Sequence, residues 1–437
     1  MENFTTSTII KYLRKVLQEI DNVYIDSGLK NAYILKKYLE YYEMTDENTP
    51  KLVLLSMLKD IGTFYNDGEV PKDNHAYAAA SSYTFLKYCS PLGDVARPLM
   101  FYKARYVEGM VSEDDPAYKD YYLGLLMTLI NQIVLYDYME YTLEEITDLI
   151  KVDTKSQFHP EQVRKLLRML KKEPEILEKL NSRSSLYVYE TSSYISKANY
   201  TDEDLMGFIE TTNYIFEFHN HETLAHTITT AEIAKYIAQK FRLSEARVEE
   251  IYIAGLVHDI GKIRIPVNIL TSPNKLEGEE YELMKHHVEY TKEILQGSFS
   301  DEVIAIASRH HERLDGSGYP LGLVARDLSI GDKIIMVADV ASALYSKRSY
   351  KNSYDDDEII GVLEREVKDG LLDDRVVNKL VDYYDEIMNI AKAREKDVLS
   401  KYQKMKEQYN KLISNEQLNQ FFNEEDDSID IIDTDLP

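Results

Sequence analysis

Histidines and carboxylates are concentrated in one stretch of the second half of this chain. Glu222 and His226 are four residues apart in a segment of helical periodicity, so both side chains are expected on one helix face. The pair His258-Asp259 follows an apolar helical run, and Gly261 is a helix stop signal. Imidazole and carboxylate groups drawn from several helices suit iron, manganese and related divalent ions rather than a thiolate zinc site.

Further residues of the same chemistry lie in three more apolar helical runs. His287 lies in one predicted helix, the pair His310-His311 ends another, and Asp339 lies in the run KIIMVADVASAL. Adjacent polar pairs at the ends of apolar helices are costly to bury unless they bind something. The short carboxylate of Asp259 can bridge two cations. Two or three cations held in this way would activate a bridging hydroxide and clamp a phosphoryl group for in-line attack.

Four ordered blocks in this stretch resemble the HD-GYP family of cyclic dinucleotide phosphodiesterases. They are HDIGKIRIPVNIL from His258, MKHH from Met284, HHERLDGSGYPLGL from His310 and VADVASALYSKRSYK from Val337. The resemblance implies an all-helical domain with a two- or three-metal centre that hydrolyses cyclic di-GMP.

The resemblance assigns this metal centre to individual residues. It implies iron or manganese ions, with Asp259 and Lys262 as the catalytic residues. Family members with a third metal carry a glutamate four residues before the first histidine, here Glu222, although such a pair is often only a surface contact. The implied ligands are Glu222, His226, His258, Asp259, His287, His310, His311 and Asp339.

Substrate contacts are implied by the same resemblance. Lys262 would reach the scissile phosphate, and Arg348 and Lys351 match positions that hold substrate phosphate, where the alternative is a plain solvated charge. The loop that carries Gly318, Tyr319 and Pro320, called the GYP loop, lies near the substrate in the family. The alternative interpretation is that these residues only form a turn. The loop residues that we assign to the substrate are Asp315, Gly318, Tyr319 and Pro320.

Three positions depart from the family pattern. Ser349 stands where proline is usual, Ser342 where a second aspartate is usual, and Thr291 where glycine is common. None of them removes an implied ligand, so the departures bear on substrate fit rather than on the chemistry. His286, one position before an implied ligand, is expected to be exposed.

The first half of the chain is a degenerate repeat of the second. KDIG in the first half aligns with HDIG in the second, but the first half has no GYP block. We therefore predict that the first half folds as an HD-GYP-like helical domain that catalyses no reaction. Its expected roles are packing against the second half, dimer formation or regulation. Asp60, His75 and Asp137 match Asp259, His287 and Asp339, whereas Ser27, Lys59, Tyr102 and Lys103 match four of the histidines.

The expected fold is all-α, since Gly and Pro number only 17 and 11. We predict two HD-domain-like helical bundles in tandem, then a C-terminal helix and an acidic tail. The predicted boundaries are a degenerate domain at 1–172, a linker at 173–215 with a short strand or hairpin at SLYVYETSSYI, a catalytic domain at 216–392, and the helix and disordered tail at 393–437.

Composition limits the partners. The net charge of −25 argues against nonspecific binding to polymeric nucleic acid or to an anionic membrane. The single cysteine, Cys89, excludes an internal disulfide framework and indicates a reducing compartment. With no apolar run near the length of a membrane span and no signal-peptide core, we expect a cytoplasmic protein. The resemblance implies a cyclic dinucleotide as its substrate, and homodimer formation is one of the roles expected for the first half.

Two function classes stay open at this stage. One is a phosphodiesterase that opens cyclic di-GMP to pGpG, and further to GMP, or that acts on another cyclic dinucleotide such as cyclic GMP-AMP. The other is a cyclic dinucleotide receptor with an empty or slow metal centre. The complete ligand set favours the enzyme, because the first copy shows how ligands are lost when chemistry is not needed.

Overall fold

A computed structural model describes residues 5–64, 75–152, 154, 157–181, 185–217, 223–272, 274–346 and 354–414. Within these ranges the fold is all-α, without a β-strand, which confirms the predicted fold class. Three short 3-10 helices accompany the α-helices, at Ile61–Phe64, Arg97–Phe101 and Ile260–Arg264. No helix in the described ranges is long and apolar enough to cross a membrane.

The α-helices are numbered along the chain. They are α1 Thr6–Ile20, α2 Asn22–Tyr41, α3 Thr49–Met57, α4 His75–Cys89, α5 Tyr118–Tyr138, α6 Leu143–Val152, α7 Pro160–Lys172, α8 Glu175–Asn181, α9 Leu186–Ile195, α10 Asp202–Glu217, α11 Thr223–Lys240, α12 Glu245–Val257, α13 Val267–Leu270, α14 Gly278–Lys285, α15 His287–Leu295, α16 Asp301–Ser308, α17 Ile330–Ser346, α18 Asp356–Lys368, α19 Asp374–Asp382 and α20 Tyr384–Ile413.

The chain divides into two compact units. One comprises Met1–Asn22 with Tyr200–Gln403 and is called the histidine unit; the other comprises Val23–Asn199 with Lys404–Pro437 and is called the companion unit. The predicted domain boundaries follow sequence order alone. They do not place α1 in the histidine unit or residues 173–199 in the companion unit. The predicted boundaries stay a prediction.

In the histidine unit, α11 forms the centre of the core and packs along α12 and α17, while α15 packs on α16 and on the 3-10 helix Ile260–Arg264. The core side chains, such as Ile228, Ile253 and Val337, are almost fully buried. Serine caps fix where two of these helices begin: Ser244 accepts from the backbone of α12, and Ser300 from that of α16. The starts of α12 and α16 are therefore fixed by these caps.

In the companion unit, α3, the pair Lys59-Asp60 and the 3-10 helix Ile61–Phe64 repeat the order of α12, His258-Asp259 and Ile260–Arg264. This 3-10 helix packs on α4. The backbone N–H of Gly62 donates to Ser82 Oγ at 2.9 Å.

The equivalent bond in the histidine unit runs from the N–H of Gly261 to Thr291 Oγ1 at 3.0 Å. Ser82 is thus the counterpart of Thr291. His287 lies four residues before Thr291, so its counterpart is Ala78. The predicted match of His75 to His287 is therefore wrong by about one helical turn, because a match by motif alone cannot fix the length of the intervening loop.

The predicted strand or hairpin at SLYVYETSSYI is also wrong, because α9 occupies this stretch. Tyr187, Thr191 and Ile195 are buried at four-residue spacing, which is the pattern of one helix face rather than of a strand. Beyond it, α20 confirms the predicted C-terminal helix. The predicted disordered tail, like Glu222, Arg348 and Lys351, lies outside the described residues.

Candidate metal centre

The structure brings seven of the eight predicted ligands into one cluster in the histidine unit. Their side chains form two groups of three whose ligand atoms lie within 4.8 Å of one another, with Asp339 beside both. Each ligand comes from the interior or the end of a packed helix. The first group is His226, His258 and Asp259, and the second is His287, His310 and His311.

Asp259 belongs to the first group, but its two oxygens face the histidines of different groups. Its Oδ2 is 3.3 Å from His258 Nε2 and 3.9 Å from His226 Nε2. Its Oδ1 is 3.4 Å from His287 Nε2 and 3.7 Å from His310 Nε2. A carboxylate in this position can bind two cations at once, one through each oxygen.

Asp339 also spans the cluster. Its Oδ1 is 3.1 Å from His226 Nε2, and its Oδ2 is 3.7 Å from His311 Nδ1. With Asp259, it gives the cluster two carboxylates among five imidazoles.

Backbone carbonyls fix three of the imidazoles. The Nδ1 atoms of His258, His287 and His310 lie 2.8, 2.7 and 2.7 Å from the carbonyl oxygens of the residues three positions earlier in the chain. A carbonyl only accepts, so each Nδ1 must carry the proton and each Nε2 keeps a free lone pair toward the cluster. This orientation by a partner behind the ring is usual for metal-binding histidines.

Ser342 fixes the fourth imidazole. Its hydroxyl donates to the backbone oxygen of His226 at 3.0 Å, and its Oγ lies 3.0 Å from His226 Nδ1. With the hydroxyl donating to that backbone oxygen, Oγ can accept from Nδ1–H, and in this tautomer Nε2 of His226 is available to a cation. Ser342 is one of the departures from the family pattern, and it contacts a candidate ligand directly.

The protonation states suit cation binding. Burial alone would raise the pKa of Asp259, but Lys262 and the imidazoles hold it well below its usual range. Burial alone would likewise raise the pKa of Asp339, but the neighbouring His226 and His311 hold it below its usual range. Burial lowers the pKa of His287 to about 4 and that of His311 to about 3. At neutral pH the two carboxylates are therefore charged and these two imidazoles neutral, as metal ligands require. Burial alone would lower the pKa of His258, but Asp259 and Asp339 raise it above its usual value.

Two buried atoms at the centre have no hydrogen-bond partner among the described residues, namely His258 Nε2 and Asp259 Oδ1. Buried polar atoms are nearly always paired, so orphaned acceptors at the meeting point of seven ligand-type side chains fit a bound cation. The residues present thus fit a metal centre of nitrogen and oxygen ligands.

Lys262 lies at the edge of this centre, with its Nζ 2.6 Å from Asp259 Oδ2. The 3-10 helix that carries it crosses α15 so closely that a Cβ on Gly261 would lie 2.0 Å from the carbonyl oxygen of His287. Thr291 ties the same crossing, because its hydroxyl accepts from the N–H of Gly261 and donates to the oxygen of His258 at 2.9 Å.

Known proteins resemble this chain in the same region. The HD domain family matches residues 168–376. The 3'3'-cGAMP-specific phosphodiesterase 1 of Vibrio cholerae is 34% identical over 180 residues, which are 41% of this chain and 42% of that protein. The cyclic di-GMP phosphodiesterase of Thermotoga maritima is 38% identical over 199 residues, 45% of this chain and 54% of that protein. This region is an HD domain of the HD-GYP family. The chain spans about half or less of the length of these relatives.

A solved structure extends the likeness in fold beyond the HD domain. The crystal structure of the cyclic GMP-AMP specific phosphodiesterase V-cGAP3 of V. cholerae has a TM-score of 0.51 and covers 87% of this chain and 97% of its own. At 18% identity it shows the fold alone.

The GYP loop of the HD domain lies against the cluster through Tyr319. The ring of Tyr319 packs on the imidazole of His311, with centroids 4.8 Å apart. Asp315, by contrast, is exposed and accepts from the backbone and side chain of Ser317, so the structure gives it a turn contact. Gly318 lies where a Cβ would be 2.4 Å from the nitrogen of Arg313.

Sequence reasoning missed Glu312. This fully buried carboxylate accepts from the N–H groups of Leu321 at 2.7 Å and Leu323 at 2.8 Å, and so holds the end of the GYP loop. A glutamate directly after an expected buried histidine pair was the available signal. His286, as predicted, is exposed, and its imidazole contacts Glu289.

Proposed function

We propose that the HD domain is a metal-dependent phosphodiesterase that hydrolyses cyclic di-GMP to pGpG and further to GMP. The observation that carries this proposal is Asp259, whose two oxygens face two separate groups of imidazoles. A polynuclear centre of this kind suits phosphodiester hydrolysis, in which both the attacking and the leaving oxygen need stabilisation.

The roles of the residues follow from their positions. Bound cations would supply Lewis acidity toward a phosphate and a water molecule. Asp259 and Asp339 hold the negative charge that retains cations, and the fixed imidazoles leave little reorganisation for binding. Lys262, already at the edge of the cluster, donates to a phosphoryl oxygen and stabilises charge that develops there. Arg348 and Lys351 are proposed to hold substrate phosphate, with Asp315, Gly318, Tyr319 and Pro320 lining the substrate.

The proposed metals are iron or manganese, because the ligands are imidazole nitrogens and carboxylate oxygens without a thiolate. Three ions are proposed, with Glu222 as the additional carboxylate one turn before His226. Elemental analysis of anaerobically loaded protein should give about three metals per chain, falling by about one in Glu222→Ala. A ratio of two in both proteins would make Glu222 a bystander.

A second substrate has specific support. Relatives of similar identity include enzymes named for 3'3'-cGAMP as well as for cyclic di-GMP. The chain also carries Ser342 and Thr291 in place of the usual family residues. A mixed cyclic GMP-AMP dinucleotide is therefore the alternative substrate, and a slow cyclic dinucleotide receptor is the alternative class.

A turnover assay distinguishes the two substrates and the receptor alternative. The full chain, loaded anaerobically with Fe(II) or Mn(II), is incubated with cyclic di-GMP, 3'3'-cGAMP and cyclic di-AMP, and products are separated by chromatography. We expect cyclic di-GMP to give the highest kcat/KM, with pGpG formed before GMP. Faster hydrolysis of 3'3'-cGAMP would reassign the substrate. Tight binding without hydrolysis of any of the three would identify a receptor.

The companion unit is proposed to do no chemistry and to serve regulation or dimer formation in a cytoplasmic protein. Both metal-type groups in the described residues lie in the histidine unit. Sedimentation equilibrium of the full chain should give twice the mass of 50.8 kDa for the homodimer. A single-chain mass at micromolar concentration would remove the dimer from the proposal.

A further inference from the structure

The first helix of the chain, α1, is part of the histidine unit, although nearly 180 residues separate it from the rest of that unit. It packs on α10, on α15 and on the 3-10 helix Ile260–Arg264. Its apolar face is almost completely buried, with exposures of 0 to 2%. The residues of this face are Ile9, Ile10, Tyr12, Leu13, Val16 and Leu17.

Polar contacts fix α1 in one register. Tyr12 shares a hydrogen bond of 3.1 Å with the hydroxyl of Thr212, and its ring meets Phe299 edge to face at 5.0 Å. Lys11 and Lys15 donate to the carbonyl oxygens of Gly297 at 2.7 Å and of Gln296 at 2.6 Å, just beyond the end of α15. Ammonium groups are favourable there because the last carbonyls of a helix lack intrahelical partners.

The end of α1 reaches the 3-10 helix that carries Lys262. Glu19 accepts from Nε and Nη2 of Arg264, both at 2.7 Å, in a bidentate pair. Arg264 also stacks over the ring of Tyr290, 5.1 Å from its centroid, and contacts Glu293. Tyr290 and Glu293 lie on α15, which begins with the metal-type His287. The guanidinium therefore joins α1, α15 and the 3-10 helix at one point.

Arg264 and Lys262 belong to one short turn, so the position of one constrains the other. The N–H of Lys262 donates to the oxygen of Asp259 at 2.9 Å, and the N–H of Ile265 donates to the oxygen of Lys262 at 3.0 Å. A 3-10 helix of five residues has few internal bonds, and its geometry depends on what it is anchored to.

We propose that Glu19 is a positioning residue for Lys262, acting through Arg264. The bidentate pair holds the 3-10 helix so that the ammonium of Lys262 stays at the edge of the metal centre beside Asp259. The functional part of this inference rests on the proposed phosphodiesterase activity, in which Lys262 donates to the phosphate. The structural part, the fixing of the turn, does not.

The test uses the full chain with Glu19→Gln and Glu19→Ala. Glutamine keeps one acceptor oxygen and alanine keeps none, so the effects should be graded. We expect kcat to fall about 3-fold in Glu19→Gln and about 10- to 100-fold in Glu19→Ala, since a small misplacement of a catalytic group has effects of this size. KM and metal content should stay within about twofold, because neither substrate nor metal ligands are touched.

Two controls separate positioning from general weakening. Glu293→Ala removes the more exposed carboxylate on the same guanidinium, and Glu386→Ala removes a bidentate partner of Lys240 elsewhere in the unit. Both should leave kcat within about twofold. An equal loss of kcat in Glu386→Ala would overturn the inference, as would a loss of bound metal in Glu19→Gln.

Hydrogen exchange gives a readout that needs no turnover. The amides of Lys262 and Ile265 should exchange faster in the order wild type, Glu19→Gln, Glu19→Ala, while amides in the middle of α12 stay unchanged. Unchanged exchange at these two amides in Glu19→Ala would refute the positioning role even in an active enzyme. If the wild type hydrolysed none of the cyclic dinucleotides, the proposed function would fail, and this graded exchange would still decide the inference.

Discussion

Asp259 and Asp60 occupy the same place in the two halves of the chain, directly before a 3-10 helix, but their surroundings differ in kind. Asp259 faces imidazole nitrogens that can share a cation. Asp60 faces two ammonium groups instead, with Lys59 Nζ at 2.6 Å and Lys103 Nζ at 3.4 Å. The companion unit thus pairs its carboxylate with lysine ammonium groups, whereas the carboxylate of the histidine unit belongs to a candidate metal centre.

The second carboxylate shows the same exchange. Asp137, the match of Asp339, lies 3.6 Å from the Nζ of Lys30 and accepts from the amide of Asn181 at 2.6 Å. A buried carboxylate needs an opposite charge or strong hydrogen bonds. Lysine side chains meet this need in the companion unit, and their positive charge opposes the binding of a divalent ion beside these carboxylates.

The largest expected effect contrasts Asp259→Asn with Asp60→Asn. Asp259→Asn should lower kcat by about 10³-fold or more and reduce bound metal, because one amide oxygen cannot hold two cations. Asp60→Asn should leave kcat and metal content per folded chain unchanged. Metal analysis and initial rates check both variants. Loss of metal in Asp60→Asn would show that the companion unit also contributes a ligand.

Asp60→Asn should instead act on stability. The ammonium of Lys59 has a side-chain exposure of 1% and would lose its charge partner, which destabilises by about 3–5 kcal/mol. Lys59→Met combined with Asp60→Asn should recover most of this loss, since no buried charge is then left unpaired. Urea unfolding of the full chain, followed by amide exchange in α3 and α5, measures the effect. Equal instability of the single and double variants would contradict the ion-pair account.

Ser342 has a smaller expected effect, confined to the histidine unit. Ser342→Ala removes the group that accepts from His226 Nδ1–H, and loss of such a supporting hydrogen bond typically weakens metal affinity about 10- to 100-fold. Manganese titration followed by electron paramagnetic resonance measures the affinity. Ser317→Ala, which removes an exposed hydroxyl bonded to Asp315, is the control and should not change it.

The smallest effect concerns a hydrogen bond that both units share. Thr291→Val and Ser82→Ala each leave a buried glycine N–H without its acceptor, so each should destabilise its own unit by about 1–2 kcal/mol. Only Thr291→Val should also weaken metal binding, because its hydroxyl holds the backbone of His258 as well. Amide exchange and metal titration on both variants would show whether the two units differ in this way.

The candidate ligands could be predicted from the sequence because the resemblance to the HD-GYP family assigns each of them to a position in a short segment. The all-α fold was implied by the same resemblance and favoured by the low Gly and Pro counts. The structure then brings seven of those ligands together, as the motif order implies.

What could not be predicted depends on contacts between distant segments. The pattern of α1 shows that one face is buried, but not that α10 and α15 cover it. The support of His226 by Ser342 joins residues 116 positions apart, and no local signal marks it. The error at α9 is different in kind, because β-branched and aromatic residues favour strands locally and tertiary burial overrides that preference.

The HDIG motif contains a glycine and a histidine that are required for different reasons. The glycine is Gly261 in the histidine unit and Gly62 in the companion unit. A Cβ on Gly261 would lie 2.0 Å from the oxygen of His287, and a Cβ on Gly62 would lie 2.2 Å from the nitrogen of Ser82. Both glycines are therefore steric requirements of a close crossing, whereas the histidine before them is a chemical one. In the companion unit Lys59 stands in place of the histidine, whereas the glycine is the same in both units. Copies of this fold that lack the histidines should thus be sought by a glycine paired with a hydroxyl on the crossing helix.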